Sequence, residues 1–389
     1  MKRLYWRPRQ VSQSIIVFMA AFSLLGLATV EYFRVDAPQE DLDLKMQAAE
    51  LSKEMMEAMD PLVKLAVRNE KLHLGMRINT AIDPGSTGMI GELMTPLTTL
   101  SGRLGAKQTS TNPNLAAVVI DMLIKAGVGK GDLVAVGYSG SFPGMNVNVL
   151  AALKTIGARP VILASAGSSQ WGANNPKFLW IDMETMLYEE QYIPFRSVAC
   201  SIGGYEDLGI GLGDEARKMI RKSILDNDMR RLEADDFASA IDERMAVYRK
   251  QAGSQEYKAY INVGGGAVSV GKTIGKRAYK HGLNRTASRA TMQIDSIMTR
   301  FMRKDVPVIH LVEMDQIAVM YNMPLKPQQQ PAVGEGGVFK QTRRSRLLIL
   351  VVLLAILGSL RIFVLTDFGH RFMKGRGSRK ISGQPEPMV

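Results

Sequence analysis

Two long apolar stretches bracket the chain: "SIIVFMAAFSLLGLATV" at the centre of residues 11–33, and "LLILVVLLAILGSLRIFVL" from Leu347 to Leu365. Each is long enough to cross a bilayer core of roughly 30 Å as a helix. Between them the pattern changes twice. From Asp41 to about Leu74, apolar residues recur at Leu44, Leu51, Met55, Met59, Leu62 and Leu65, the spacing of one helical face. This predicts a helix that is either a stalk or, more simply, the first packed helix of a domain. From about Gly75 to Leu325, short apolar runs alternate with helical stretches. "DLVAVGYSGSFPG" reads as a strand and a polar loop, "NVNVLAALKTIGA" as a helix ending near Gly157, and "RPVILASAGSSQWGANNP" as a second strand and loop. "KFLWIDME" reads as a short strand ending at Asp182 and Glu184, and "SIGGYEDLGIGLGDEARKMI" as a Gly-rich loop opening a helix. "YKAYINVGGG" and "VPVIHLVEMD" supply two more strands.

Apolar strands alternating with helices predict an α/β fold: a mostly parallel, Rossmann-like sheet covered on both faces and flanked by two transmembrane helices. Ligands of such sheets sit beyond the carboxyl ends of the strands. The polar loops expected there carry Ser139, Gly140, Ser141, Gly144, Ser168, Ser169, Asp182, Glu184, Gly264, Gly265 and Gly266, with Glu313 and Asp315 after the last strand. The expected organisation is a basic N-terminus (1–10), a first span (11–33), a stalk or first helix (34–75), an α/β domain (76–325), a linker (326–346), a second span (347–365) and a basic tail (366–389). "LKPQQQPAVGEGG" gives the linker its composition.

Charge sharpens the membrane reading. The net +12 invites a nucleic-acid partner, but its location argues against one. Of 49 basic and 37 acidic residues, four bases lie in 1–10, and ten bases with two acids lie in 340–389; this leaves 35 of each sign in 11–339. Positive charge outside apolar spans is a topology signal rather than a groove for phosphates. It places the N-terminus and tail in the cytoplasm and the domain outside, in the cytoplasmic membrane of a bacterium. "KQTRRSR", Lys340 to Arg346, runs against that orientation. The bulky, charged "TVEYFRVD" is no cleavage site, so the first span reads as an anchor rather than a cleaved signal peptide. The single Cys200 excludes an intrachain disulfide. No Cys/His spacing suits a metal, and no metal or cofactor is expected.

The segments "TSTNPNLAAV", "GDLVAVGYSGSFPGMNV", "SSQWGANNP" and "LWIDME" together resemble the accessory membrane protein of bacterial poly-gamma-glutamate synthesis and export systems. There it accompanies a capsule-type amide ligase and its membrane partners. The resemblance covers about residues 76–325 and the flanking spans. It implies a pathway, a bilayer location and partners among the other membrane proteins of the complex. It carries over no catalytic residue.

Three chemistries compete for the loops. Gly266 to Thr273 satisfies the P-loop pattern G-x-x-x-x-G-K-[ST], with Lys272 for phosphate and Glu313 or Asp315 as the metal-holding acid. Its context is poor. About sixty residues with one clear strand follow it, and the charge pattern puts it outside the cytoplasm, where nucleotide is scarce. A nucleotide binder therefore requires reversed topology. Gly264 to Ser269 also approaches a dinucleotide fingerprint but lacks its third Gly. A serine hydrolase or transferase would use Ser139 or Ser141, but Gly137-Tyr-Ser-Gly-Ser breaks G-x-S-x-G, and His310 sits in a strand as a packed histidine does. The reading preferred from sequence is a non-catalytic component of the polymer system. It binds a small anionic ligand or the polymer end at the strand-end cleft, with Lys272 as a point charge there. Trp171 is read as core, Asp83-Pro-Gly-Ser-Thr-Gly as a turn, and the 24 methionines as gap-filling.

Overall fold

The computed structural model describes residues 13–37, 41–68, 79–340 and 342–365. The basic N-terminus, the basic tail, His73 and the expected helix beyond Arg68 lie outside the described residues. The chain forms two units, one of residues 39–339 and one of the two terminal segments.

In the terminal unit, α1 (Gln13–Tyr32) and α13 (Arg346–Leu365) are the two apolar stretches. Both are long and apolar enough to cross a membrane, and they expose their apolar sides instead of burying them as core helices would. They pack antiparallel. Phe18 meets the Phe363 ring edge-on at 5.6 Å, Ser359 Oγ lies 3.5 Å from Met19 Sδ, and Gly26 leaves room for Val352. At the end away from the termini, β1 (Arg34–Asp36) pairs antiparallel with β11 (Thr342–Arg344). The Glu31 carboxylate pairs with both Arg34 and Arg344. Part of the basic charge that opposed the topology signal is thereby matched locally.

The larger unit is built on a seven-stranded sheet of order β7-β6-β3-β2-β8-β10-β9. Its strands are β2 (Leu133–Ser139), β3 (Arg159–Ser165), β6 (Ala199–Ser201), β7 (Arg230–Arg231), β8 (Tyr257–Val263), β9 (Gly282–Asn284) and β10 (Val308–Leu311). All adjacent pairs are parallel except β9 against β10. A small ladder of β4 (Asn174–Asn175) and β5 (Phe178–Leu179) stands apart. The central strands are apolar throughout because both faces are covered. Side chains alternate between two cores. Val134, Val136, Ile162, Ala164 and Ile261 face one, and Leu133, Ala135, Val161, Leu163 and Tyr260 face the other.

The first core is covered by α2 (Leu42–Arg68), α4 (Leu115–Ala126), α5 (Pro143–Ile156), α6 (Trp180–Glu189), α7 (Asp214–Asp226) and α12 (Met314–Met320). The second lies under α8 (Phe237–Ala252), α9 (Ala267–Val270), α10 (Lys272–Ala278) and α11 (Ile297–Met302). The helix α3 (Leu104–Ser110) crosses near the carboxyl ends of the strands. Met55, Met56 and Met59 of α2 are fully buried, so this helix is part of the domain. Trp180 is the largest fully buried side chain among the described residues, whereas Trp171 is only half-buried, in a left-handed turn at φ 63°.

Two expectations are corrected. "KFLWIDME" is not a strand ending at Asp182 and Glu184: β5 stops at Leu179, and α6 begins at Trp180. The Asp182 carboxylate accepts the Leu179 N–H at 2.7 Å, capping the helix start, and Trp180, Glu184 and Leu187 fall on one buried helical face. Residues 326–339 are not a free linker. Lys326 N–H donates to Thr109 Oγ1 at 3.2 Å, and Val338 and Phe339 are buried. The buried Asn114 carboxamide accepts the Gly334 N–H at 2.9 Å and donates to the Ala332 carbonyl at 2.8 Å. A Pro- and Gln-rich segment of bends and turns suits a docked strap as well as a tether, provided a side chain satisfies its backbone. Asn114→Ala leaves that backbone unpaired. It should cost about 2–3 kcal/mol, seen as a lower melting midpoint and faster proteolysis within 326–339.

Candidate functional site

Strand order reverses between β2 and β8. From β2 the chain builds outward through β3, β6 and β7, and then returns to the other side of β2 with β8 and β10. Such a reversal leaves a crevice beyond the strand ends, where ligands of open parallel sheets bind. Here a cleft of about 190 Å³ opens, walled by the loops that follow β2, β3, β6 and β8.

The predicted residues divide among three places. Ser139, Ser141, Ser169, Gly265 and Gly266 line the cleft. Gly140, Ser168, Gly144 and Gly264 build its walls. Ser168 is fully buried and donates to the Gly140 carbonyl at 2.9 Å. A Cβ on Gly144 would stand 2.9 Å from the Ser110 carbonyl oxygen, so this glycine lets α5 approach the end of α3. Gly264 has φ 90°, which turns the chain out of β8. Asp182, Glu184 and Lys272 lie elsewhere. Asp182 accepts from Ser223 Oγ at 2.9 Å and Asn227 Nδ2 at 2.6 Å. Glu184 is buried against Tyr138 and Ser197. Neither Ser139 nor Ser141 has a base: Ser139 Oγ accepts the Ser141 N–H at 3.3 Å, and Ser141 Oγ accepts the Ser169 N–H at 3.1 Å.

The floor of the cleft is an ionic network that sequence reasoning missed. Arg244 of α8 and Asp207, after β6, form an ion pair with side chains only 7% and 9% exposed. Arg244 also donates to Ser165 Oγ at 3.1 Å and Ser201 Oγ at 2.7 Å, and both hydroxyls donate to Asp207 at 3.1 and 2.6 Å. Every polar end is satisfied, as burial of charge demands. The signal for Arg244 was present in the sequence. It occupies the apolar stripe of α8 with Ile241, Met245 and Tyr248, a position where a charged residue needs a reason. Asp207 offered no such signal, because its place depends on a loop in which Gly203, Gly204, Glu206, Asp207, Gly209 and Gly211 all have positive φ.

Lys107 of α3 is the second missed residue. It is 2% exposed, and its ammonium lies 3.6 Å over the Phe142 ring. Its Nζ donates to Ser169 Oγ at 2.9 Å and to the Ser141 carbonyl. Burial pulls its pKa down to about 7, and among the described residues no carboxylate pairs with it. Lys276 stands exposed at the cleft mouth. His310 is a packed strand residue. Its Nδ1 lies 3.0 Å from Asn262 Nδ2, and burial lowers its pKa to about 4. A group of three or more His, Cys, Asp or Glu side chains gathered for a metal is not found among the described residues.

The P-loop letters fold into something else. Residues 267–270 form the turn of α9, where the Ser269 and Val270 N–H groups bond the Gly266 carbonyl at 3.1 Å and the Gly271 N–H bonds Ala267 at 2.8 Å. A phosphate cradle needs such groups free. Gly271 and Lys272 then take φ of 89° and 59°, which turns the lysine away. Its Nζ pairs with Glu206 at 2.6 Å and lies 4.4 Å over the Phe237 ring. Glu313 and Asp315 pair with Arg103 beside α3 and not with Lys272 or Thr273. Among known proteins, the chain matches no family model, no curated protein and no solved structure, so the chemistry of the cleft has to be read from its own residues.

Proposed function

We propose that the chain is a membrane-anchored component of a poly-gamma-glutamate synthesis or export system, and that its α/β domain binds a carboxylate-bearing ligand, such as the polymer end, in the cleft at the strand-order reversal. One observation carries the binding: in a stretch of zero net charge, the cleft sets Arg244 and Lys276 against the single carboxylate of Asp207. Serine hydroxyls and glycine backbone complete a lining suited to hydrogen-bonding an anion. The pathway is supported by the four segments that resemble the accessory protein of those systems, and the domain's place outside the cytoplasm by the basic residues before α1.

The test is calorimetric titration of the full chain in detergent micelles with tri-gamma-glutamate. Saturable binding is expected, weakened about tenfold or more in Lys276→Gln, the loss of one charge-assisted contact. Absence of binding heat, or equal affinity in the variant, would sink the reading. A reporter fused near residue 200 checks orientation: activity only outside the cytoplasm is expected.

A further inference from the structure

The serines around the cleft are not equivalent. Ser165 and Ser201 are tied to Arg244, which stays protonated and cannot serve as a base. Ser168 is sealed beneath the surface, and Ser139 and Ser141 accept only backbone N–H groups. Among the described residues, Ser169 alone combines a place on the cleft wall with an amine on its hydroxyl: Lys107 Nζ stands 2.9 Å from its Oγ. The serine is fixed by its N–H bond to Ser141 Oγ, and the lysine by Phe142 and the Ser141 carbonyl. Gly102 packs closely here because it lacks a side chain: a Cβ would lie 2.5 Å from the Gln170 carbonyl oxygen and 3.3 Å from Ser169 Oγ.

We propose that Ser169 and Lys107 form a serine–lysine dyad that performs acyl transfer on an amide or ester substrate in this cleft. The substrate class, an acyl group bearing a carboxylate, rests on the binding reading above. A nucleophile needs an adjacent base that is neutral at working pH, and a lysine buried without a carboxylate partner meets that condition. The amine of Lys107 accepts the Oγ proton as Oγ attacks the acyl carbon. The new C–O bond forms, the C–N or C–O bond of the substrate breaks, and Lys107 returns the proton to the departing amine or alcohol. Water or the amine of a second molecule then attacks the acyl carbon and bonds to it, the acyl–Oγ bond breaks, and the attacker's proton passes through Lys107 to Ser169 Oγ. No redox partner or cofactor enters the balance.

The experiment treats the full chain in detergent micelles with a fluorophosphonate probe and maps the adduct by peptide mass. One adduct is expected, on the peptide containing Ser169, forming faster as pH rises through about 7. Ser169→Ala abolishes it, whereas Ser254→Ala, on the exposed turn after α8, retains it. Lys107→Met keeps the buried stem and slows labelling by at least about a hundredfold, the usual contribution of a general base. Labelling at another serine, no labelling of folded protein, or an unchanged rate in folded Lys107→Met overturns the dyad. Should Lys107→Met fail to fold, the position of the adduct and its pH profile in the unsubstituted chain still decide. Adduct formation at Ser169 without tri-gamma-glutamate binding upholds the dyad and removes its substrate class. Binding without an adduct upholds the cleft and removes the dyad.

Discussion

Arg244→Ala lowers the stability of the α/β domain by about 3–5 kcal/mol, the cost of leaving a buried partner charge alone. The reason lies in what remains behind. Asp207 keeps its position, 9% exposed, with only the Ser165 and Ser201 hydroxyls to answer its charge. The loop that carries it is already held against its preferences, since Glu206 and Asp207 take φ of 54° and 68°, and each non-glycine residue in that region costs roughly 1–2 kcal/mol. The ion pair is thus part of what keeps the loop folded over the cleft. Urea unfolding of the full chain, followed by tryptophan fluorescence, measures the loss. Substituting both partners, Arg244→Met with Asp207→Leu, should recover much of it, because apolar groups leave no orphaned charge. A loss under about 1 kcal/mol in Arg244→Ala would place the pair in water rather than in the interior.

Glu184→Gln changes the response of stability to pH by about 3 kcal/mol between pH 4.5 and pH 7. Burial raises the Glu184 carboxyl to about 7, although Tyr138 and Ser197 donate to its Oε1. Its Oε2 has no partner. Across that window the folded chain keeps a proton that the unfolded chain has released. The stabilising contribution is therefore complete below pH 4.5 and is lost as pH rises through about 7. His310 has the opposite sign. Held down to about 4, it is neutral in the folded chain while the unfolded chain is still charged, so its contribution grows as pH rises toward 6.5. The two slopes oppose each other, and the unsubstituted protein should respond weakly. The variant should gain stability relative to it as pH rises, and unfolding midpoints at pH 5 and pH 7 give the difference. Equal differences at both values would mean that Glu184 titrates normally. Lys107, lowered to about 7, adds a separate arm: its contribution is present above its unfolded value of 10.5 and is lost as pH falls through 7.

What could be read in advance follows from how local each signal is. The central strands announce themselves because parallel strands buried on both faces are apolar runs, and β2, β3, β8 and β10 appear as expected. Loops at their carboxyl ends follow by topology, which brought Ser139, Ser141, Ser169, Gly265 and Gly266 to the cleft. The short strands β6, β7 and β9 are two or three residues long and leave no period to detect. In "KFLWIDME" strand propensity was outweighed by a capping carboxylate and by burial at helical spacing. Lys272 was misplaced because a motif specifies residue types, whereas its direction depends on two left-handed residues. Arg244, Asp207 and Lys107 come from three distant segments, and only tertiary packing joins them to the serines. The resemblance implies a pathway and assigns no site residue.

Cys200 sits on β6, one residue before the serine that braces the ionic floor. It is fully buried, and burial holds its thiol well above the ordinary range, so the reactive thiolate is suppressed while the domain stays closed. Toward alkylating reagents the folded chain therefore behaves as though it had no cysteine, and it can form neither a disulfide with itself nor a ready one with a neighbour. A thiol introduced at any exposed position becomes the sole reactive handle without first removing the native one. The native one becomes reactive only when the central sheet opens, which gives the protein an internal gauge of its own unfolding.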